Sequence, residues 1–481
     1  MHPAALVALA FLLLGAAACV VRPSWVPPYF AALIYASVPD SLRAEYGLPS
    51  AFMFLAPALV GLALARQVLF EEAPGRGWKG ALWWLVAWGA VIFASFLYAT
   101  DIARAAATLF DYLDALFIVL IMTLFVRGRE QLAPIVWALI GAGVFLSALT
   151  VHQNLTGNFG STYGGFARGE LRALVGSTSG MRSAGPLSTN YFALILVALV
   201  PLAAERVLHA RALLARGLAA LGLALIVTAI GFTYSRGGLA TLGAIALLAL
   251  FTAPRIPRII FVAAPLALAA GLAFLPATYL DRMSTFAQIW EGVRGRHVED
   301  SAIRGRISEV RSALMMMGDH PLFGVGSGNY EIHYPSYARV VALDGRREER
   351  AAHSLYLEVA AENGLFGLAV FGGLLAYALR GVQRTRKIFV RASESDLAHL
   401  TTALGLALAG FLIGSIFLHL SYPRFLWLLL GIALGIGGLA LQPASTVPIP
   451  SSSQRKRGYE RCRKIDPIRK PANARPSAVV R

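Results

Sequence analysis

The stretch Leu213-Leu-Ala-Arg-Gly-Leu-Ala-Ala-Leu-Gly-Leu-Ala-Leu-Ile-Val-Thr-Ala-Ile-Gly-Phe-Thr233 decides the fold class. From Gly217 to Thr233 it carries no charge, and a run of about twenty such residues matches the hydrocarbon thickness of a bilayer when helical. In lipid the backbone must satisfy its own hydrogen bonds, which leaves helices or closed barrels. The polar island that follows, Tyr234-Ser-Arg-Gly-Gly-Leu239, is brief, and a second apolar run begins at once. Long apolar runs joined by tight polar links are the signature of a polytopic helical membrane protein.

Comparable windows lie on both sides, at 4–21, 26–38, 48–65, 79–98, 105–126, 132–152, 190–206, 237–253, 258–277, 354–379, 398–418 and 423–441. The composition agrees, with 57% hydrophobic and only 14% charged residues. The expectation is an all-α transmembrane bundle of 12 to 13 spans, with no strands, and a large outward loop carrying amphipathic surface helices. Its parts are N-terminal helices over 1–152, an outer loop over 153–189 and central helices over 190–280. A large periplasmic loop over 281–353, C-terminal helices over 354–441 and a basic, disordered cytoplasmic tail over 442–481 complete it.

Short loops rich in Lys and Arg stay on the cytoplasmic side. Arg66, Arg76 and Lys79 mark one such loop, Arg127 and Arg129 a second, and Arg206, Arg211 and Arg216 a third. Arg255 and Arg258, then Arg380, Arg384, Arg386, Lys387 and Arg391, continue the series. Thirteen spans place the N-terminus outside, whereas re-entry or merging of 26–38 leaves twelve and places it inside. The first apolar segment lacks a basic n-region and is expected to be a retained anchor. Cys19 reads as a small buried helix residue, and with Cys462 in the tail it forms neither a disulfide framework nor a metal site.

The formal charge of +17 is unevenly distributed. From Leu441 onward ten Lys or Arg face only Glu460 and Asp466, giving +8. This Pro- and Ser-rich tail suits anionic inner-leaflet lipid, and without a folded basic domain or aromatic platform nucleic acid is not an expected partner. In the 281–352 loop, ten arginines are balanced by ten acids, so anion recognition must come from particular arginines. There Arg306-Ile-Ser-Glu-Val-Arg-Ser-Ala-Leu-Met-Met-Met317 predicts an amphipathic helix over the membrane surface. Ile307, Val310, Leu314 and Met317 would share one face, and Gly318 and Pro321 would end it.

Two polar stretches flank the end of that loop: Asp319-His-Pro-Leu-Phe-Gly-Val-Gly-Ser-Gly-Asn329 and His353-Ser-Leu-Tyr-Leu-Glu-Val-Ala-Ala-Glu-Asn-Gly364. The glycines of the first follow no strand and lack the Lys-Ser or Lys-Thr of a P-loop, which excludes a nucleotide cradle. His353 fits either a polar helix start or a general base near neutral pH. Arg236, in the tight link after Thr233, fits either a snorkelling interfacial arginine or a functional one. His297, His320 and His333 show no ligand spacing, so no metal site is read. Asp111 and Asp114 are the main support for a different class, a transporter or flippase for an anionic lipid-linked substrate. A plainer reading pairs either carboxylate with Arg104 or with an arginine of another helix.

Tyr234-Ser-Arg-Gly-Gly-Leu239, Arg306 with its helix, His320-Pro-Leu-Phe-Gly-Val-Gly-Ser-Gly-Asn-Tyr330 and the stretch from His353 to Gly367 together resemble the bacterial O-antigen ligase and O-antigen polymerase family. The likeness runs from about Arg182 to the last span, and Arg182-Ser-Ala-Gly-Pro-Leu-Ser-Thr-Asn190 resembles the family's approach to its central helices. Ser188-Thr189 departs from the acid or Asn followed by Pro usual there, which leaves Asn190 outside the site set. Ser354 stands where Asn commonly follows the His.

The resemblance implies transfer of a glycan from a polyprenyl diphosphate carrier to an acceptor hydroxyl at the periplasmic face of the bacterial inner membrane, without cofactor or metal. The acceptor would be lipid-A core for a ligase or a growing glycan for an O-antigen or exopolysaccharide polymerase, with protein O-glycosylation a third case. Under this reading Arg236 and Arg306 clamp the diphosphate, because guanidinium forks match phosphate oxygens. His353 is the general base, and Arg182, Arg304 and Arg311 add substrate contacts.

Overall fold

The computed structural model describes residues 1–49, 51–70, 76–175, 178–252, 301–343, 348–419 and 423–441. The predicted span 258–277, the first part of the large loop and the basic tail lie outside the described residues.

The N-terminal half holds α1 (Pro3–Val21), α2 (Val26–Tyr35), α3 (Val38–Tyr46), α4 (Ala51–Phe70), α5 (Gly77–Ala94), α6 (Ile102–Phe125) and α7 (Leu132–Thr156). After a hairpin of β1 (Arg168–Val175) and β2 (Thr178–Gly185) come α8 (Thr189–His209), α9 (Leu213–Phe232) and α10 (Arg236–Thr252). The surface helices α11 (Ser301–Asp319) and α12 (Tyr330–Val341) precede α13 (Leu355–Arg391), α14 (Ser395–Gly414) and α15 (Pro423–Leu439). Among the described residues eight helices are long and apolar enough to cross a membrane, and Phe54–Arg66, Arg236–Thr252 and Arg424–Leu439 are shorter apolar helices. The protein is therefore an all-α, multi-pass membrane protein.

Within Met1–Ala440 the spans share one continuous apolar core. Helices α6 and α15 pack together, α8 is sandwiched between α9 and α14, and α13 lies along α5, α14 and α15. Small residues permit the closest approaches: Gly381 and Gly437 bring α13 and α15 together, where a Cβ on Gly381 would meet the Gly437 Cα at 3.1 Å.

One open alternative is resolved and one expectation needs correction. The segment 26–38 does not cross: α2 has ten residues, rising about 15 Å, half the hydrocarbon thickness. Ser37, at φ 53°, turns the chain into α3. Strands are present after all, since β1 and β2 pair antiparallel within the loop expected over 153–189. The argument against strands holds only in lipid, and outside it water can satisfy a hairpin's edges. Helix α11 keeps its predicted two faces: the apolar stripe is its less buried side, with Val310 and Leu314 exposed. The side turned into the protein carries Ser308, Glu309, Ser312, Ala313 and Met316, all buried against α12 and α13. Small and polar residues allow the close approach, and the apolar stripe is left facing outward, as a helix on a bilayer surface requires.

Candidate active site

The two polar stretches that flank the end of the large loop lock onto each other. Helix α13 breaks at Gly364, whose φ of 63° and ψ of −168° are non-helical. The freed donors do not go unpaired: the Leu365 and Phe366 amides reach the carbonyls of Pro321 and Leu322 at 2.9 and 3.2 Å. In return, the Val325 and Gly326 amides donate to the Ala361 and Glu362 carbonyls at 2.9 Å each. A side chain on Gly324 or Gly364 would place its Cβ 2.3 Å from opposing backbone, so both positions require glycine. The Tyr330 amide donates to Glu362 at 3.1 Å, and Ser327 Oγ donates to Asn363 Oδ1 at 2.6 Å.

His353 sits just before this helix with φ 48°, in the left-handed region. Its Nδ1 lies 3.0 Å from the Ala351 carbonyl and 3.1 Å from a carboxylate oxygen of Glu309. The Ala351 carbonyl can only accept, so Nδ1 carries the proton and the lone pair of the neutral ring is on Nε2. Glu309 is fully buried and also pairs with Arg350 at 3.0 Å. The Tyr330 hydroxyl fixes the same turn of α11 by donating to the Glu309 carbonyl at 2.9 Å. Behind His353 stands His419, with ring centroids 5.2 Å apart. Burial, and then the neighbouring His353, push the His419 pKa down to about 3, so it stays neutral at physiological pH.

Arg306 is one turn before Glu309 on α11 and lines a narrow crevice with Asn190, Ser235, Gly237, Gly238 and Thr241. The link between α9 and α10 is shaped for this. Tyr234 is left-handed at φ 49°, and the Gly238 amide donates to Ser235 Oγ at 3.2 Å. Arg236 is the first residue of α10 and is buried. Arg182, buried on β2, donates from Nε to the Thr233 carbonyl at 2.9 Å and lies 3.5 Å from Asn190 Oδ1, which also accepts from Ser235 Oγ at 3.0 Å. The hairpin thus ties Arg182 and Asn190 to the Arg236 link. Arg304 and Arg311 are half-buried, and helical geometry turns them roughly 160° and 140° away from Arg306, so the three do not converge.

On the other side lies a cavity of about 380 Å³, within the range of small-molecule sites. Trp88, Tyr112 and Trp427 give it aromatic surface, while Asp111, Glu331, Glu358 and Glu362 outnumber Arg104 on its walls. The segment after α14 separates the two spaces: Gly414, Phe417 and Leu418 line the crevice, and His419 lines the cavity. The Leu355 amide, two residues after His353, is held by the Ser415 carbonyl at 3.0 Å. Of the paired carboxylates, Asp114 lies 3.4 Å from Arg424 of α15, the plainer of the two readings.

Sequence reasoning missed Glu309, Arg350 and His419. Only Glu309 left a signal, as the acid three residues after Arg306 on a stripe of small and polar residues at helical spacing.

Fold and site together define a multi-pass membrane protein with buried arginines around one helix link and a histidine at the start of a long helix. The family model described as O-antigen ligase matches residues 221–372, so this part of the chain is similar to that family. The match covers the Arg236 link, α11, the glycine loop and His353. No curated protein matches the chain. The match supports glycan transfer of the ligase or polymerase type in general and suggests a glycosyltransferase-like enzyme.

Proposed function

We propose that the protein transfers a glycan from a polyprenyl diphosphate carrier to an acceptor hydroxyl at the periplasmic face of the bacterial inner membrane. The observation that carries this reading is the orientation of His353. With Nδ1–H given to the Ala351 carbonyl, and the Glu309 carboxylate 3.1 Å from the same nitrogen, Nε2 is the atom able to take a proton. The acceptor oxygen, losing its proton to Nε2, bonds to the anomeric carbon. The bond from that carbon to the carrier's diphosphate breaks, and the electron pair leaves with the diphosphate. Arg236 and Arg306 stabilise the charge gathering there.

The crevice and the cavity divide the work by charge. A diphosphate is repelled by the acidic cavity, whereas carboxylates, Asn363 and indole faces suit the hydroxyls and apolar faces of sugars. We therefore assign the cavity to the acceptor glycan and the Arg306 crevice to the carrier's diphosphate. Arg182 positions the Arg236 link, and Arg304 and Arg311 are left to contacts away from the diphosphate. Helix α11 and the stretch from His320 to Asn329 supply half of the site, and the basic tail attracts anionic lipid.

The test is reconstitution of the purified protein with a polyprenyl diphosphate glycan and, in turn, lipid-A core, a second carrier-linked glycan and an acceptor protein. Arg236→Ala, Arg306→Ala and His353→Ala should each lower transfer by about 10²-fold or more while membrane insertion persists. Full activity in all three would defeat the assignment, and carrier movement without a new glycosidic bond would identify a flippase.

A further inference from the structure

We propose that Glu205, His209 and His399 form a binding site for a divalent transition-metal ion, zinc foremost, at the end of the bundle remote from the transfer site. Glu205 and His209 stand four residues apart on the last turns of α8, which puts both side chains on one face. His399 comes from the first turns of the neighbouring α14. One ligand atom from each lies within 4.8 Å of the other two. Glu205 Oε1 is 3.7 Å from His209 Nδ1, and the two imidazoles are 3.8 Å apart between centroids.

The second observation concerns satisfaction. His209 Nδ1 and His399 Nδ1 are both shielded from solvent and have no hydrogen-bond partner among the described residues. Buried polar nitrogens are ordinarily paired, and two left over beside one buried carboxylate need a common partner. A cation between them supplies it. Glu205 already meets Arg206 at 2.5 Å through both oxygens, yet each carboxylate oxygen has a further lone pair, so Arg206 can orient the ligand without displacing it. Two imidazoles and one carboxylate suit zinc, whereas calcium and magnesium prefer oxygen ligands throughout. Bringing atoms now up to 4.8 Å apart onto an ion at about 2.0–2.2 Å takes only small side-chain rotations.

Location decides the role. Asn190, at the other end of α8, borders the Arg306 crevice, and the nineteen residues to His209 span about 28 Å. Gly414, at the opposite end of α14 from His399, borders the same crevice. The ion would therefore clamp α8 to α14 without touching the reaction.

Purified, chelator-stripped protein would be titrated with Zn²⁺ and, separately, with Co²⁺ followed by visible absorption. We expect one equivalent of either metal, a cobalt ligand-field band, and a rise in melting temperature with Zn²⁺. His399→Gln and His209→Gln should weaken binding about tenfold or more and remove the thermal shift, while retaining glycan transfer as proof of folding. Binding below a tenth of an equivalent to transfer-active protein would overturn the proposal, as would equal binding by both variants. If neither variant remains folded, Glu205→Gln read by the same cobalt band decides in their place.

Discussion

At the scale of single residues, the decisive arrangement is a histidine that spends one nitrogen on structure and leaves the other for chemistry. Glu309 makes that division possible, being buried and reached by both Arg350 and His353. Replacing Glu309 with Ala removes the carboxylate beside Arg350 and His353 and loosens the hold on the imidazole, which keeps its bond to the Ala351 carbonyl. Glycan transfer is expected to fall by about 10² or more, with acceptor KM little changed, in a steady-state assay. His419 yields a pH prediction. Its folded pKa, near 3, lies below the ordinary 6.5, so the unfolded chain binds a proton first as pH falls. Stability is therefore intact above about 6.5, declines progressively below it and stops declining on this account near 3. Thermal melts of His419→Asn should show a shallower acid slope than those of the parent protein.

At the scale of elements, the break in α13 is as informative as its length. The loop from Pro321 to Gly326 supplies partners for the amides released at Gly364, so kink and loop exist only together. Gly364→Ala, forced to a φ of 63° with its Cβ 2.3 Å from the Leu322 backbone, should destabilise the protein by about 1–3 kcal/mol, read as a lowered melting temperature. This interlock was only partly legible in the sequence. The two stretches announced themselves by polarity and glycine, and the apolar windows on either side were readable from length and charge alone. Nothing in either stretch states that Leu365 will bond to Pro321. Helix α11 shows a different limit: periodicity found the helix and its two faces, but which face meets protein depends on whether lipid or another helix lies beneath. Glu309 was overlooked for that reason. Glu205 and His209, in contrast, displayed their i, i+4 spacing openly, and what was hidden was the arrival of His399 from a helix almost two hundred residues away.

At the scale of the whole molecule, the spans gather a cationic crevice and an acidic, aromatic cavity on either side of the segment from Gly414 to His419. The assignment of carrier to one and acceptor to the other makes separable predictions. Asp111→Asn and Glu358→Gln should raise the acceptor KM several-fold with the donor KM near its original value, whereas Ser235→Ala beside Arg306 should do the reverse. Kinetics at varied donor and acceptor concentrations distinguish the two patterns. The partition itself has a stereochemical consequence. A leaving group held in the crevice and a hydroxyl delivered from the cavity approach the anomeric carbon from opposite faces, so the new linkage must carry the inverted configuration. Proton coupling constants of the product sugar, compared with those of the carrier-linked donor, would read that inversion directly, and retention would place both substrates on the same side of the wall.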